Sequence, residues 1–320
     1  MINNAKILVT GGAGAIGLNL IERMLGAGVG SVMVIDNLSS GYKNYLPADD
    51  RITFIKADIG NIDTYRTEMH EFQPDYVFHL AAHFANQNSV DHPFKDVQAN
   101  IIGTMNLLEI CKKNERLKKF VYTSSSCVYG NSAVMREDDY IYPHETPYAI
   151  NKYTAELYVK YYASMYKIPA VSIRVFNTYG PYEPHGAYRN VIPNFIVRAI
   201  KGEPLFITGD GTETRDFTFV GNTAQLLTLA AISEVINGDI FNGGTGKPTK
   251  IIDLAKMIIE YTGSSSEIVF KERRNWDAVK DRLSDISKSK ERLGYEPEVP
   301  LETGLRRTVD WYVNDYEIED

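Results

Sequence analysis

The stretch Thr10-Gly11-Gly12-Ala13-Gly14-Ala15-Ile16-Gly17 follows a short apolar run, Lys6 to Val9, and opens a segment, Ile16 to Leu25, whose apolar residues recur at helical spacing. A glycine-rich turn between strand and helix lets backbone amides and the positive end of the helix dipole hold a pyrophosphate, and glycine permits the close approach. The same glycines alone also suit a purely structural turn. Asp36 tips the reading toward a dinucleotide. It ends the next apolar run, Val32 to Ile35, about twenty residues on, where a carboxylate accepts hydrogen bonds from an adenosine ribose and repels a 2′-phosphate. The pattern favours NAD over NADP.

Outward from this turn, short apolar runs alternate with helical periodicity: Ile52 to Ile55, Tyr76 to Leu80, Phe120 to Thr123 and Val171 to Val175 read as further strands. Phe94 to Cys111 and Pro147 to Tyr166 carry apolar residues at three-to-four spacing, enough to cover a parallel sheet on both faces. The expected fold class is α/β, a doubly wound parallel sheet over residues 1–176 followed by a smaller α/β lobe over 177–320. The second lobe begins where loops rich in Pro, Gly and Tyr give way to a helix near Val191 to Lys201 and a strand Leu205 to Thr208. Phe217 to Val220 and Asp239 to Asn242, within 214–245, read as strands that return to the first lobe.

Ser125, Tyr148 and Lys152 carry the chemistry. In Tyr-Ala-Ile-Asn-Lys, positions four apart share a helix face, so a phenol and an ammonium stand side by side. A nearby cation lowers a phenol's pKa from about 10, and a positively charged nicotinamide ring lowers it further. Such a Tyr takes a hydroxyl proton near neutral pH. Pro147 favours a helix start just before Tyr148, which puts the phenol at the strand-end crevice where this fold binds ligands. Most of the other tyrosines, 21 in all, are packing residues.

The chain of 320 residues has 23% charged and 44% hydrophobic residues and a net charge of −7, with no basic block suited to nucleic acid or a membrane surface. Two cysteines, Cys111 and Cys127, give neither a disulfide framework nor a metal-ligand spacing, so the reducing cytosol is the expected compartment. Of six histidines only His79 and His83 are closely spaced, and a core or loop role fits them better than a metal. No signal-peptide organisation or bilayer-length apolar stretch is present.

These motifs together resemble the extended short-chain dehydrogenase/reductase family, within it the nucleotide-sugar epimerases and dehydratases, and most closely the UDP-glucose 4-epimerase-like enzymes. The resemblance covers nearly the whole chain: Gly11, Gly14 and Gly17, Asp36-Asn37-Leu38-Ser39-Ser40-Gly41, Ala57-Asp58-Ile59, His79-Leu80-Ala81-Ala82, Asn100, Ser124 to Gly130, Tyr148 to Lys152, Arg174 to Pro181 and Thr214 to Phe217. It implies that Gly11, Gly14, Ala15, Ile16, Gly17, Asp36, Asn37, Ser39, Ser40, Gly41, Asp58 and Ile59 serve the adenosine and pyrophosphate of NAD. Leu80, Ala81, Ala82, Asn100, Tyr148 and Lys152 would lie toward the nicotinamide. It selects Ser125 as the hydroxyl that relays a sugar proton to Tyr148, leaves Ser124 as a backbone-satisfying strand-end serine, and leaves Ser126 open between substrate contact and structure. For the nucleotide sugar it points to Phe84, Gln87, Asn177, Asn190, Val191, Leu205, Ile207 and Arg215. It adds Arg274 and Asp277, in a segment of uncertain register.

The acid beside the catalytic hydroxyl distinguishes reactions in that family. Dehydratases place Asp-Glu after it and decarboxylases a Glu, whereas here Ser126 and Cys127 follow Ser125. Epimerisation at carbon four of a UDP-hexose or UDP-N-acetylhexosamine is therefore expected, ahead of a 4,6-dehydratase, decarboxylase or reductase and of a catalytically silent dinucleotide sensor. Phe84 stands where many UDP-glucose epimerases have Lys, and Gln87 where uronic-acid epimerases often have Arg, which argues against UDP-glucuronate. The helices Phe94 to Cys111 and Pro147 to Tyr166 resemble those that form a four-helix homodimer interface in the family.

Overall fold

Strand β1 (Lys6–Thr10) is an interior strand of the main sheet because it is apolar on both faces, which suits a strand covered by helices above and below. The computed structural model describes residues 2–143, 145–235, 237–272 and 280–316. Its main sheet has seven parallel strands, with β2 (Ser31–Asp36) and β3 (Ile52–Lys56) on one side of β1 and β4 (Tyr76–His79) and β5 (Lys119–Ser125) on the other. Ala170–Val175 and then Asp239–Gly243 complete the β5 side. The reversal of direction at β1 creates the crevice in which this topology places ligands. Thr10 lies beside His79, and Ser125 beside Val175, so these residues line the carboxyl edge.

Two apolar cores flank the sheet. One packs helix α1 (Ala15–Gly26) and the helix Val220–Ile232 against it; the other packs Gly103–Cys111 and Pro147–Met165 against the opposite face. A third core joins Val191–Lys201, Ile251–Thr262 and Leu301–Asn314 with a parallel pair, Leu205–Thr208 and Ile268–Lys271.

Of the two segments expected to return, Asp239–Gly243 does join the main sheet. Phe217 to Val220 does not: Thr218–Phe219 pairs only with Thr178–Tyr179, and Val220 already begins a helix. The expected helix Phe94 to Cys111 is interrupted, running helical over Pro93–Val97, widening to a π-helical turn over Gln98–Ile102 and resuming over Gly103–Cys111. Such a turn inserts a residue and re-aims the side chains within it, here Asn100.

Helix Pro147–Met165 is fixed to the sheet by a buried ion pair. Arg174 donates to Glu156 through Nε at 3.0 Å and Nη2 at 2.6 Å, and each side chain is 2% exposed. The guanidinium also stacks on Tyr129, whose hydroxyl donates to Asn242 at 2.7 Å. Removing one member strands a buried charge, which costs about 3–5 kcal/mol. Glu156→Ala is therefore expected to lower the stability measured by urea denaturation by that amount, and the double change Glu156→Leu with Arg174→Met by less than the single one.

Candidate active site

The glycine turn is packed so closely that only glycine fits. Gly11 has φ +69°, and a Cβ there would stand 2.7 Å from the Ala81 nitrogen; one on Gly17 would stand 2.5 Å from the Gly11 oxygen and the Gly12 Cα. At Gly14 the nearest atom to such a Cβ is the Gly11 oxygen at 3.4 Å, so its outer side is open. Gly14 caps α1 without a side-chain hydrogen bond, which leaves the first-turn amides of a twelve-residue helix, beginning Ala15-Ile16, directed at that opening. This cradle fits a dinucleotide pyrophosphate.

Asp36 is buried at the end of β2. Its carboxylate accepts the Ala13 amide at 3.0 Å and the Leu38 amide at 2.8 Å, and burial holds its pKa above the ordinary carboxylate value despite those bonds. Asn37 donates to Asp58 at 2.8 Å and accepts the Ser39 amide at 2.9 Å, closing the loop Ser39-Ser40-Gly41 onto the turn before Gly60. Ile59, expected toward an adenine, is buried, its side chain in the core on the second face of the sheet. On the other side, Leu80 and Ala81 bond through their amides to the Thr10 oxygen and Thr10 Oγ1, with Ala82 following. Asn100 donates to the His83 carbonyl at 2.9 Å, while its Oδ1 is buried without a hydrogen-bond partner, an acceptor suited to a bound polar group.

Thr146 caps the helix that carries Tyr148, its Oγ1 accepting the Ala149 amide at 3.3 Å, and Pro147 occupies the first helical position. The Tyr148 amide donates to Ser89 Oγ at 3.0 Å, which fixes the first turn. The Ser125 hydroxyl is close enough to the phenol to favour its ionised form, and Ser125 Oγ accepts the Cys127 amide at 3.2 Å. Ser125 and Tyr148 are thus brought together at the carboxyl edge of β5.

Lys152 lies one turn on but is not bonded to the phenol. Its Nζ donates to the Thr123 carbonyl at 2.5 Å and stands 4.5 Å from the Tyr122 ring centre. Burial lowers the Lys152 pKa to about 7, with Asp96 and Glu156 opposing that shift. The lowered phenol pKa expected from the sequence is not found: burial pushes Tyr148 up, the neighbouring Cys127 adds to this, and the adjacent Ser125 hydroxyl only partly offsets it. Desolvation of a buried phenolate outweighs the helical spacing of a cation.

The remaining residues expected at the substrate have the following partners within the protein. Leu205 and Ile207 are 0% and 1% exposed, because alternation along a strand turns both into the third core; their side chains are packing residues. Gln87 donates to Asp91 at 2.9 Å. Asn177 donates to the Asp216 carbonyl at 3.0 Å, and Asn190, at the start of the helix beginning with Val191, donates to Glu183 at 2.8 Å. Arg215 donates to the Thr214 and Lys280 carbonyls. Asp216 is no surface partner for it: fully buried, it accepts bonds from Thr245, Gly246 and Ser284 and so anchors the loop after Gly243. Ser126 is buried, and the Ser124 hydroxyl is buried without a hydrogen-bond partner rather than satisfying the backbone. Arg274 and Asp277 fall outside the described residues. Arg282 escaped the sequence reading; it lies against the site with Nη1 3.5 Å from Cys127 Sγ.

His79 bonds on both ring nitrogens, to Thr10 at 2.7 Å and Thr104 at 2.9 Å, and burial lowers its pKa to about 3. It is a core histidine. Among the described residues no group of three or more His, Cys, Asp or Glu could hold a metal ion, and no helix is long and apolar enough to cross a membrane.

A family model described as the NAD dependent epimerase/dehydratase family matches residues 7–244. The putative UDP-glucose 4-epimerase of Methanocaldococcus jannaschii is 35% identical over 96% of this chain and 98% of its own. An epimerase of Methanothermobacter thermautotrophicus superposes with a TM-score of 0.94 at 42% identity, covering 98% of this chain and 94% of that one. The UDP-N-acetylglucosamine 4-epimerase of Methanobrevibacter ruminantium, in complex with UDP-N-acetylmuramic acid, superposes with a TM-score of 0.91 at 33% identity, covering 98% of this chain and all of that one. With a glycine cradle, a carboxylate at the end of β2 and a Ser–Tyr pair at one sheet edge, the chain belongs to the NAD-dependent epimerase/dehydratase family.

Proposed function

We propose that the protein is an NAD-dependent nucleotide-sugar epimerase that inverts carbon four of a UDP-hexose or UDP-N-acetylhexosamine through a 4-keto sugar. The observation that carries this reading is the placement of Tyr148 beside Ser125 at the carboxyl edge of β5, with Ser126 and Cys127 next in the chain where an elimination or decarboxylation would call for a carboxyl group. Bound NAD supplies the hydride acceptor and donor. Ser125 binds the sugar 4-hydroxyl and passes its proton to Tyr148, and Tyr148 returns the proton once the keto sugar has presented its other face. Lys152 holds the nicotinamide ribose from its buried station at Thr123. Arg215 and Asn177 are assigned to the diphosphate end, Phe84 and Gln87 to the sugar side, and Arg274 and Asp277 to the nucleotide. The NAD-binding lobe is residues 1–176 with the part of 214–245 that returns to it, the helix Val220–Ile232 and the strand Asp239–Gly243, and the rest of 177–320 binds the nucleotide sugar.

The helices that pack against the sheet beside Tyr148 also leave apolar residues exposed: Val97 and Ile102 on one, and Ile150, Leu157, Tyr161 and Met165 on the other. This surface supports a homodimer built as a four-helix bundle. With no membrane-crossing helix found among the described residues, a cytoplasmic location is the simplest one.

Incubating the protein separately with UDP-glucose, UDP-N-acetylglucosamine and UDP-glucuronate and following anomeric proton signals by NMR should yield an isomer of unchanged mass from one of the first two. Loss of water or carbon dioxide would instead place the reaction in the dehydratase or decarboxylase branch. Tyr148→Phe should reduce turnover by roughly 10²- to 10⁴-fold, the range of general acid–base catalysis, while NAD still copurifies. Asp36→Ser should weaken NAD relative to NADP in direct titration, because the carboxylate that repels a 2′-phosphate is gone. Leu157→Glu should shift the protein to a monomer in sedimentation analysis.

A further inference from the structure

Arg189 lies in the loop before the helix Val191–Lys201, far in sequence from the glycine turn, yet its guanidinium reaches across to it. Nη2 donates to the Ser40 carbonyl at 3.1 Å, and the guanidinium carbon stands 4.6 Å from the centre of the Phe84 ring. Ser40 and Phe84 belong to the two loops that border residues 11–17. Gly41 is packed so that a Cβ would stand 2.6 Å from the Ala13 backbone, and the Tyr42 amide bonds to the Ala13 oxygen at 3.0 Å. On the other flank, Ala81, three residues before Phe84, is the backbone against which Gly11 packs. A side chain that touches both loops therefore spans the mouth of the cradle between them.

The charge on Arg189 is only partly offset, by the nearby Glu183. Among the described residues no carboxylate forms an ion pair with it. The nearby Glu183 accepts the Asn190 amide at 2.8 Å, and burial raises its pKa to about 7, which keeps much of it neutral. The glycine turn itself offers amide dipoles but no cation, and a pyrophosphate brings two negative charges. Arginine forms charge-assisted bonds with phosphate oxygens, and a half-buried one seated on an aromatic face is held ready to do so.

We propose that Arg189 is a cofactor-binding residue, delivered from the third core to close over the pyrophosphate of the dinucleotide in the glycine turn. The assignment rests on the reading of that turn as the NAD site. It makes the loop that leads into the nucleotide-sugar region part of the cofactor's enclosure, so that NAD cannot leave without this loop moving.

The test is binding rather than turnover. Equilibrium dialysis of the full-length protein measures the Kd of NAD, and competition measures those of ADP, adenosine and UDP. Arg189→Gln should weaken NAD and ADP by about 10- to 100-fold, the value of one hydrogen-bonded charge contact, and leave adenosine and UDP little changed. Phe84→Lys in the Arg189→Gln background should recover most of the loss by placing a cation at the same spot. Unchanged NAD and ADP binding would overturn the proposal. So would an equal loss for adenosine, which would make Arg189 a prop for the Ser40 loop, or a loss for UDP alone, which would assign it to the substrate diphosphate. Should Arg189→Gln fold poorly, Arg189→Lys and salt dependence decide the matter: the lysine variant should keep most of the ADP affinity, and ADP binding by the unaltered protein should weaken with salt while adenosine binding does not. Failure of the unaltered protein to bind NAD or ADP at all would remove the cofactor reading itself and this assignment with it, whereas NAD binding without epimerisation would leave this assignment standing.

Discussion

The contact on which the site depends is backbone against backbone. At the carboxyl edge of the sheet, Gly11 leaves β1 with its Cα pressed toward the Ala81 amide, and Gly17 lets α1 descend onto Gly11 and Gly12. A single methyl group at either position would push the helix away from the strand or β1 away from the loop after β4. Because these approaches hold, the open side of Gly14, the amide end of α1, the Asp36 carboxylate and the loop carrying Leu80 to Ala82 all converge on one crevice. The ligand site is then a consequence of how closely two parallel strands and their first crossover can pack.

The chemistry is set on the other side of that crevice by burial. The helix bearing Tyr148 is held to the sheet through Glu156 and Arg174, so Lys152 is buried and Tyr148, partly exposed at the crevice, is held beside it on the same helix. Dry surroundings disfavour both the phenolate and the ammonium, which is why Tyr148 is shifted up and Lys152 down. The site is therefore poised so that charge is favoured only where a partner compensates it: Asp96 and Glu156 for the lysine, the Ser125 hydroxyl for the tyrosine, and the positive nicotinamide ring when the dinucleotide is bound.

The polar residues that join the cores show how the two ligand regions are coupled. Asp216 gathers amides and hydroxyls from Thr245, Gly246 and Ser284 into one buried carboxylate, and Asn242 links Tyr129 to the Met135 and Asp285 carbonyls. These bonds tie the returning strand Asp239–Gly243 and the loop after it to Tyr129, Met135 and residues 284–285. Arg189 does the same across the cofactor loops, with one hydrogen bond and one ring contact.

Sequence alone determined the elements whose signal is local. Strand–glycine–helix spacing, an Asp closing the second strand, Pro147 before a Tyr-x-x-x-Lys helix and the apolar runs of the parallel strands were all legible, because each depends on near neighbours and on the two simple periods of backbone structure. What required the tertiary structure was whatever depends on packing between distant segments. Alternation along Leu205–Thr208 did not reveal that Leu205 and Ile207 face a core rather than a ligand, nor did any local signal expose the π-helical turn at Asn100, the buried anchor Asp216, or Arg282 beside Cys127. The direction of the Tyr148 shift was misjudged for the same reason: helical spacing fixes the distance between a cation and a phenol along one helix, but the dielectric around them is decided by everything that folds over it.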